Sequence, residues 1–145
     1  MQIEMTIRRL IPDPITNMPV VVLVEKEGER VLPIWVGVFE GTAIELQIEN
    51  VETPRPMTHD LLKSVIAGVG GEVERVVVCD LKDNTFYATI DIRMPQGVVT
   101  IDARPSDAMA LALRTGTRVF VEESVMQSVK RDTDPGVADV GRLQK

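Results

Sequence analysis

Two short stretches of the sequence place arginine, proline, a hydroxyl residue and aspartate at the expected start of a helix. The first, RPMTHD, runs from Arg55 to Asp60, and the second, RPSD, runs from Arg104 to Asp107. The first also contains His59, the single histidine of the chain, whose side chain ordinarily titrates nearest to neutral pH. Imidazole beside carboxylates can move protons, and guanidinium groups bind phosphate through paired hydrogen bonds. If the two stretches meet in the folded chain, they form a site for acid–base chemistry on an anionic substrate.

The second stretch separates a predicted strand from a predicted helix. Pro105 breaks the alternating run 100–102, because proline fixes φ and disfavours a helical residue before it. Ser106 is predicted to cap the helix with its hydroxyl, and Asp107 adds negative charge in the first turn. Arg114 falls in the last turn, where a cation suits the carbonyl end, and Gly116 suits the left-handed residue that ends many helices. The spacing therefore predicts a short, alanine-rich helix that begins at the stretch.

In the first stretch the same reasoning makes Thr58 the helix cap, with a helix to about residue 67. Capping is the commonest use of such residues, so a purely structural role for both stretches is an alternative. In that alternative Arg55 and Arg104 pair with Asp60 and Asp107 and lock the helix starts to the sheet.

Composition limits the kinds of partner that the chain can bind. At 145 residues it is expected to form one domain with its own core, and its net charge is −6 with 3% aromatic residues. A protein that binds nucleic acid mainly through phosphate neutralisation is expected to be basic. Any nucleic-acid activity must therefore come from a local arginine cluster, or from carboxylates that hold a divalent cation such as Mg²⁺ or Mn²⁺. Glu40 and Asp102 are the candidate metal ligands in addition to the two aspartates of the stretches.

Hydrophobic periodicity predicts an α+β fold with a mostly antiparallel, curved sheet and three to four helices packed on it. Strands are expected at 2–10, 20–24, 30–36, 72–81, 85–94, 98–102 and 118–121. Helices are expected at 39–50, with Ala43, Ile44, Ile48 and Val51 inward, and at 122–129. Residues 1–129 are predicted to form a single domain, and 130–145 a polar, mobile tail. Strands that are apolar on both faces suggest a homo-oligomer.

Three further residues are predicted to lie in the core: Cys79, Trp35 and Phe39. A single cysteine excludes an internal disulfide and a cysteine-based zinc site, and it favours a cytoplasmic location. No apolar run approaches the roughly 20 residues that span a bilayer, and the N-terminal sequence does not suit a signal peptide. We therefore expect no membrane partner.

Several separated motifs together resemble the bifunctional nuclease domain family. They are LPIWVG at 32–37, residues 40–44, PRPMTHDLL at 54–62, IDARPSDA at 101–108 and ALALR at 110–114. The resemblance covers about residues 5–127, and the motifs occur in the family's order. It implies a compact α+β domain of a kind found in bacteria and plants. It also implies a nuclease, because the family takes its name from plant members described as cutting both RNA and DNA.

Phosphodiester hydrolysis needs an activated nucleophile, relief of charge on the phosphate and protonation of the leaving oxygen. Chemistry therefore makes His59, Asp60 and Asp107 the candidate catalytic residues. The candidate phosphate-binding residues are Arg55, Arg104 and Arg114. Whether a metal is bound is left open, with Glu40 and Asp102 as its candidate ligands. The alternatives are a non-catalytic oligomeric or regulatory domain and a protein that binds a small anionic ligand.

Overall fold

The computed structural model describes residues 1–131, which form seven strands and four helices. The strands are β1 (Gln2–Pro12), β2 (Pro19–Glu25), β3 (Val31–Trp35), β4 (Glu72–Lys82), β5 (Thr85–Met94), β6 (Gly97–Ala103) and β7 (Val119–Glu122). The helices are α1 (Val38–Ile48), α2 (Thr58–Gly68), α3 (Pro105–Thr115) and α4 (Glu123–Arg131). The predicted tail 130–145 begins within the last turn of α4, and residues 132–145 lie outside the described residues.

All seven strands join one open sheet in the order β3-β2-β1-β7-β4-β5-β6. Neighbouring strands run antiparallel except β4 and β7, which pair in parallel. This confirms the α+β prediction with a mostly antiparallel sheet. The short strand β7 lies between β1 and β4, so it joins the N-terminal hairpins to the β4–β5–β6 meander. Although β7 has only four residues, it joins the two groups of strands into one continuous sheet.

Helices α1, α2 and α3 pack side by side, with α3 in the middle. Eight of the eleven residues of α3 are buried, because the helix is covered by α1, α2 and the sheet. Its alanines let these neighbours approach closely. Gly116 ends the helix with φ at +65°, the left-handed conformation that the sequence predicts for it. The most deeply buried helix is thus the one that carries the second arginine–proline stretch.

Both predicted helix caps are wrong by one or two positions. Helix α3 begins at Pro105 with Arg104 as its cap, so Ser106 lies in the first turn instead of preceding it. Proline is common at the first helical position because its fixed φ suits the helix. The N–H that proline lacks would have no intrahelical partner there. Helix α2 begins at Thr58 after Met57, and the Asp60 carboxylate accepts the Met57 backbone N–H at 2.9 Å. The aspartate, and not the hydroxyl residue, satisfies this helix start.

Three predictions of burial also fail in this part of the fold, and the first is Trp35, which is half-buried and not in the core. Cys79 is only half-buried, because β4 bulges between Val78 and Asp80 and leaves Cys79 without a partner across the ladder. Val51 was expected on the inner face of the helix, but α1 ends at Ile48 and Val51 is exposed in the loop that follows. No helix within residues 1–131 is long and apolar enough to cross a membrane.

Candidate active site

The two arginine–proline stretches meet where α2 and α3 begin. His59, in the first turn of α2, lies 2.9 Å from Asp107 in the first turn of α3, measured from imidazole Nε2 to carboxylate Oδ1. The two residues are 48 positions apart in the chain. His59 is 7% exposed, so this contact is largely shielded from water. The sequence does not show whether the two stretches meet. Packing of α2 against α3 brings them together and forms the histidine–aspartate pair.

Arg104 extends this pair into a chain of charged groups. Its Nε donates to the second carboxylate oxygen of Asp107 at 2.8 Å, and its Nη1 donates to Glu40 at 3.3 Å. Partial burial raises the pKa of the Asp107 carboxyl, but the hydrogen bonds from Arg104 and His59 outweigh it and hold that pKa below its usual value. The order of contacts is therefore imidazole, carboxylate, guanidinium, carboxylate.

The tautomer of neutral His59 follows from its hydrogen-bond partner. An ionised carboxylate only accepts hydrogen bonds, so imidazole Nε2 carries the hydrogen that Asp107 accepts. In neutral imidazole the lone pair is then on Nδ1, for which no hydrogen-bond partner is found within residues 1–131. Asp107 therefore holds His59 in the tautomer whose Nδ1 can accept a proton.

A cavity of about 440 Å³ lies beside this chain of contacts. Its walls include His59, Asp107, Arg104 and Phe39. Phe39 is 86% exposed, so its predicted core position is wrong. It lies five residues before the buried Ile44, which is about 140° around the helix and away from the inward stripe. An unpaired aromatic face therefore stands at the edge of the cavity that His59, Asp107 and Arg104 also line, where a planar group could stack on it.

Asp60 and Arg114 form a separate pair between α2 and α3, with a buried guanidinium and a partly exposed carboxylate. The Arg114 side chain is 4% exposed, and its Nε donates to Asp60 Oδ1 at 2.7 Å. Its other nitrogens donate to the backbone carbonyls of Ala110 and Ala43, at 2.9 and 3.1 Å. The hydrogen bond from the Met57 amide is the main reason that the pKa of Asp60 lies below its usual value; the Arg114 hydrogen bond adds to it against the effect of burial. These contacts tie α1, α2 and α3 together.

Of the two pairings expected under the structural alternative, one is present and the other is not. Arg104 does bind Asp107, but Asp60 is paired with Arg114 and not with Arg55. Arg55 lies at a neighbouring cavity of about 360 Å³, which Asp60 and Arg114 also line. Its guanidinium makes no hydrogen bond or ion pair within the described part of the chain.

The two candidate metal ligands are not brought to one place. Glu40 accepts a hydrogen bond from Arg104, whereas Asp102 lies on β6 opposite Thr89. Because side chains alternate along a strand, Asp102 points to the sheet face opposite the one that Ala103 turns towards α3. In residues 1–131 no three His, Cys, Asp or Glu side chains are grouped closely enough to hold a metal ion.

Comparison with known proteins assigns this chain to a family. A family model described as "Bifunctional nuclease domain" matches residues 21–134. The chain belongs to the bifunctional nuclease domain family. It is 46% identical over 110 residues to an uncharacterized protein of Mycobacterium tuberculosis, a match that covers 76% of this chain and 65% of the relative.

Plant members of the bifunctional nuclease domain family are more distant. "Bifunctional nuclease 2" of Oryza sativa subsp. japonica is 28% identical over 123 residues, which is 83% of this chain and 38% of that protein. "Bifunctional nuclease 1" of Oryza sativa subsp. indica is 22% identical over 116 residues, 78% of this chain and 35% of that protein. The chain therefore spans less than two thirds of the length of these relatives.

The lowered pKa values of Asp60 and Asp107 predict how the stability of this family member depends on pH. Each carboxylate is favoured in the folded state, so its contribution is complete above the unfolded value of 3.8 and is lost as the pH falls through the lower folded value. We expect the free energy of unfolding to decrease steeply below about pH 4. In Asp107→Asn this acid dependence should be weaker. Urea denaturation between pH 2.5 and 7 measures it, and equal slopes in the two proteins would contradict the prediction.

Proposed function

We propose that this domain hydrolyses phosphodiester bonds of RNA or DNA, with His59 as the group that moves protons and Arg104 as the group that binds the phosphate. The observation that carries the proposal is the convergence of His59, Asp107 and Arg104 on one cavity. Family membership supports it, because the plant relatives are named nucleases.

In the proposed reaction, His59 Nδ1 accepts a proton from a water molecule as the water oxygen attacks phosphorus. The ester bond from phosphorus to the leaving sugar oxygen breaks, and the imidazolium returns the proton to that oxygen. The products are a phosphate monoester end and a free hydroxyl end, so atoms and charge balance. Asp107 stabilises the imidazolium that forms between the two proton transfers, as a carboxylate does in other histidine-based sites.

Arg104 is suited to the phosphate because its side chain is 66% exposed and its Nη2 makes no hydrogen bond to any described residue. A guanidinium that faces a phosphodiester relieves the negative charge that repels the nucleophile. Phe39 offers a surface on which an unpaired base could stack, which favours a single-stranded substrate.

The other predicted site residues have different places in this proposal. Arg55 could steer the strand, because it is a cation without a protein partner in residues 1–131. Asp60 and Arg114 satisfy one another and two backbone carbonyls, so we assign them to folding and not to substrate. If a divalent cation, Mg²⁺ or Mn²⁺, takes part in the reaction, Glu40 would hold it after leaving Arg104, and the cation would relieve negative charge on the phosphate.

The proposal is tested by incubating the purified domain with end-labelled single-stranded RNA and DNA, with and without EDTA. Cleavage that persists in EDTA supports the His59 mechanism without a metal. Cleavage that stops and is restored by Mg²⁺ or Mn²⁺ supports the metal-dependent form. No cleavage of either substrate under all conditions overturns the proposed activity.

A second candidate function, an oligomeric interaction domain, is favoured by the outer face of α2. Leu61, Val65 and Val69 follow one another at intervals of four residues and are 57%, 52% and 64% exposed. They form an apolar stripe on a helix whose other face already packs on α3. In this proposal the stripe binds a second copy of the chain, and the arginine–aspartate pairs serve folding only.

We expect Val65→Glu to dissociate such an assembly, because a charge at the middle of the stripe must be desolvated in the interface. Lys63→Gln, at another exposed position of α2, is the matched control, because it also lowers the net charge by one. Size-exclusion chromatography with light scattering measures the mass of each variant. A monomeric wild-type protein, or an assembly that survives Val65→Glu, would contradict this second candidate.

A further inference from the structure

Two helices begin at a second cavity, of about 270 Å³, which adjoins the candidate active site. Gly37, the cap of α1, lines it together with Pro105 and Ser106, the first two residues of α3. Arg104 and Glu40 line both cavities. Helix N-termini carry unpaired backbone amides and a partial positive charge, and neither helix has a side chain that caps it. The N-terminal ends of α1 and α3, with their partial positive charge, therefore both lie at this cavity.

Ser106 supplies an independent sign that this cavity binds a ligand. The residue is only 6% exposed, and its hydroxyl has no hydrogen-bond partner within residues 1–131. Nearly all buried hydroxyl groups are hydrogen-bonded, because removing them from water without a partner is unfavourable. The backbone amides of Ser106 and Asp107 also precede the first intrahelical bond, from the Ala108 amide to the Arg104 carbonyl. The buried hydroxyl and the amide of Ser106 are thus left as donors at this cavity, and the Asp107 amide is the next donor along α3.

The remaining walls combine flat apolar groups with one amide side chain. Trp35 and Phe86 line the cavity, and both are half-buried. Asn84, in the β4–β5 turn, lines it as well, and its side chain makes no hydrogen bond to another described residue. Donors at one end and aromatic rings with an amide elsewhere are suited to a phosphate joined to a nucleoside.

We infer that this second cavity binds the phosphate of the nucleotide next to the scissile bond, with Ser106 and the first amides of α3 as its donors. The inference rests on the proposed function, because it gives the nucleic-acid strand a second point of attachment. Arg104 lies between the two cavities and could contact both phosphates. A free nucleotide has the same chemistry, so the experiment has a separate arm for each source.

Glu40 opposes the binding of an anion here, because its carboxylate lies at the cap of α1 and lines the cavity. Among the charged residues of the described chain, only Glu40 and Arg104 line this cavity. Glu40→Gln removes the repulsion but keeps the shape of the side chain. We therefore expect Glu40→Gln to bind phosphate more tightly than the wild-type protein.

Calorimetric titration with adenosine 5′-monophosphate, and with adenosine as the control ligand, tests the site directly. Ser106→Ala should weaken binding of the monophosphate by about tenfold or more, the size expected for a hydrogen bond to a charged group. Binding of adenosine should not change. Ser64→Ala, which removes a hydroxyl at a different cavity, should bind as the wild-type protein does.

Thermal denaturation without ligand separates a binding role of Ser106 from a structural one. An unpartnered buried hydroxyl does not stabilise the fold, so Ser106→Ala should melt at the same temperature as the wild-type protein or higher. A lower melting temperature would show that the hydroxyl has a partner within the protein and would overturn the inference.

Titration and cleavage of a single-stranded oligonucleotide complete the test. If Ser106→Ala weakens binding of both probes and the wild-type protein cleaves nothing, the site is supported and the nuclease proposal fails. If the protein cleaves the strand and Ser106→Ala changes neither binding nor KM, the nuclease proposal is supported and this site is overturned. If Ser106→Ala weakens binding of the monophosphate but not of the oligonucleotide, the cavity binds a free nucleotide. That result would overturn the inference that the nucleic-acid strand occupies it.

Discussion

His59→Gln is expected to lower the rate of phosphodiester cleavage by about 10²- to 10⁴-fold, the usual contribution of a positioned general acid or base. Glutamine places an amide nitrogen near the position of imidazole Nε2, so the hydrogen bond to Asp107 can be kept. It has no group that accepts and returns a proton. The fold should therefore survive while proton transfer is lost. Single-turnover cleavage of labelled RNA, with circular dichroism as the test of folding, measures both effects.

The matched comparison for this prediction is a pair of aspartate variants. Asp107→Asn keeps the shape of the carboxylate but favours the wrong imidazole tautomer, so its cleavage rate should also fall steeply. Asp80→Asn removes a carboxylate from an exposed ion pair with Lys82 and should leave the rate unchanged. Full activity in both His59→Gln and Asp107→Asn would remove His59 from the mechanism.

Arg114→Met is expected to lower the free energy of unfolding by about 2–4 kcal/mol, somewhat less than the loss of one partner from a fully buried ion pair. The change leaves Asp60 without its guanidinium and the carbonyls of Ala43 and Ala110 without their side-chain donor. Asp60 is 35% exposed, so water recovers part of the lost interaction. Urea denaturation at pH 7 measures the change.

Two variants control for the loss of an arginine. Arg93→Met breaks an exposed ion pair with Glu72 and should change stability by no more than about 1 kcal/mol. In a double-mutant cycle, Asp60→Asn should lose less stability in the Arg114→Met background than alone, because the two residues are coupled. If Arg114→Met costs no more than Arg93→Met, the buried pair does not hold the three helices together.

The two largest expected effects thus fall on two different side-chain pairs, each of which joins α2 to α3. The His59–Asp107 pair includes an imidazole that can accept and return a proton, so it is assigned to chemistry. Arg114 of the other pair binds Asp60 and two backbone carbonyls, so that pair is assigned to folding. Asp60 and Asp107 occupy equivalent places in their helices, and each accepts one hydrogen bond from its own helix start and one from the neighbouring helix. The partner from the neighbouring helix separates the two roles, because it is an imidazole for Asp107 and a guanidinium for Asp60.

Most secondary structure could be predicted because its signals are local. The alternation along β1 and β5, the β-branched run of β2 and the Asp83–Asn84 turn each depend on neighbouring residues, and the structure has all of them. The helix ends are also local, and Gly116 ends α3 as predicted. The predicted start of α3 was wrong because proline at the first helical position moved the cap from Ser106 to Arg104. The predicted cap of α2 was wrong because Met57 is its cap and the Asp60 carboxylate accepts the Met57 amide.

The sequence by itself determined the α+β class, the family, and the residue types that could carry acid–base chemistry on an anionic substrate. Tertiary structure alone decided which of those residues share a site, because the contacts join positions 48 and 54 residues apart. Whether Phe39 is buried, which arginine Asp60 binds and whether Ser106 keeps a partner depend on how α1, α2 and α3 pack. Spacing along the chain carries no information about such contacts, since they form only when separate elements are brought together.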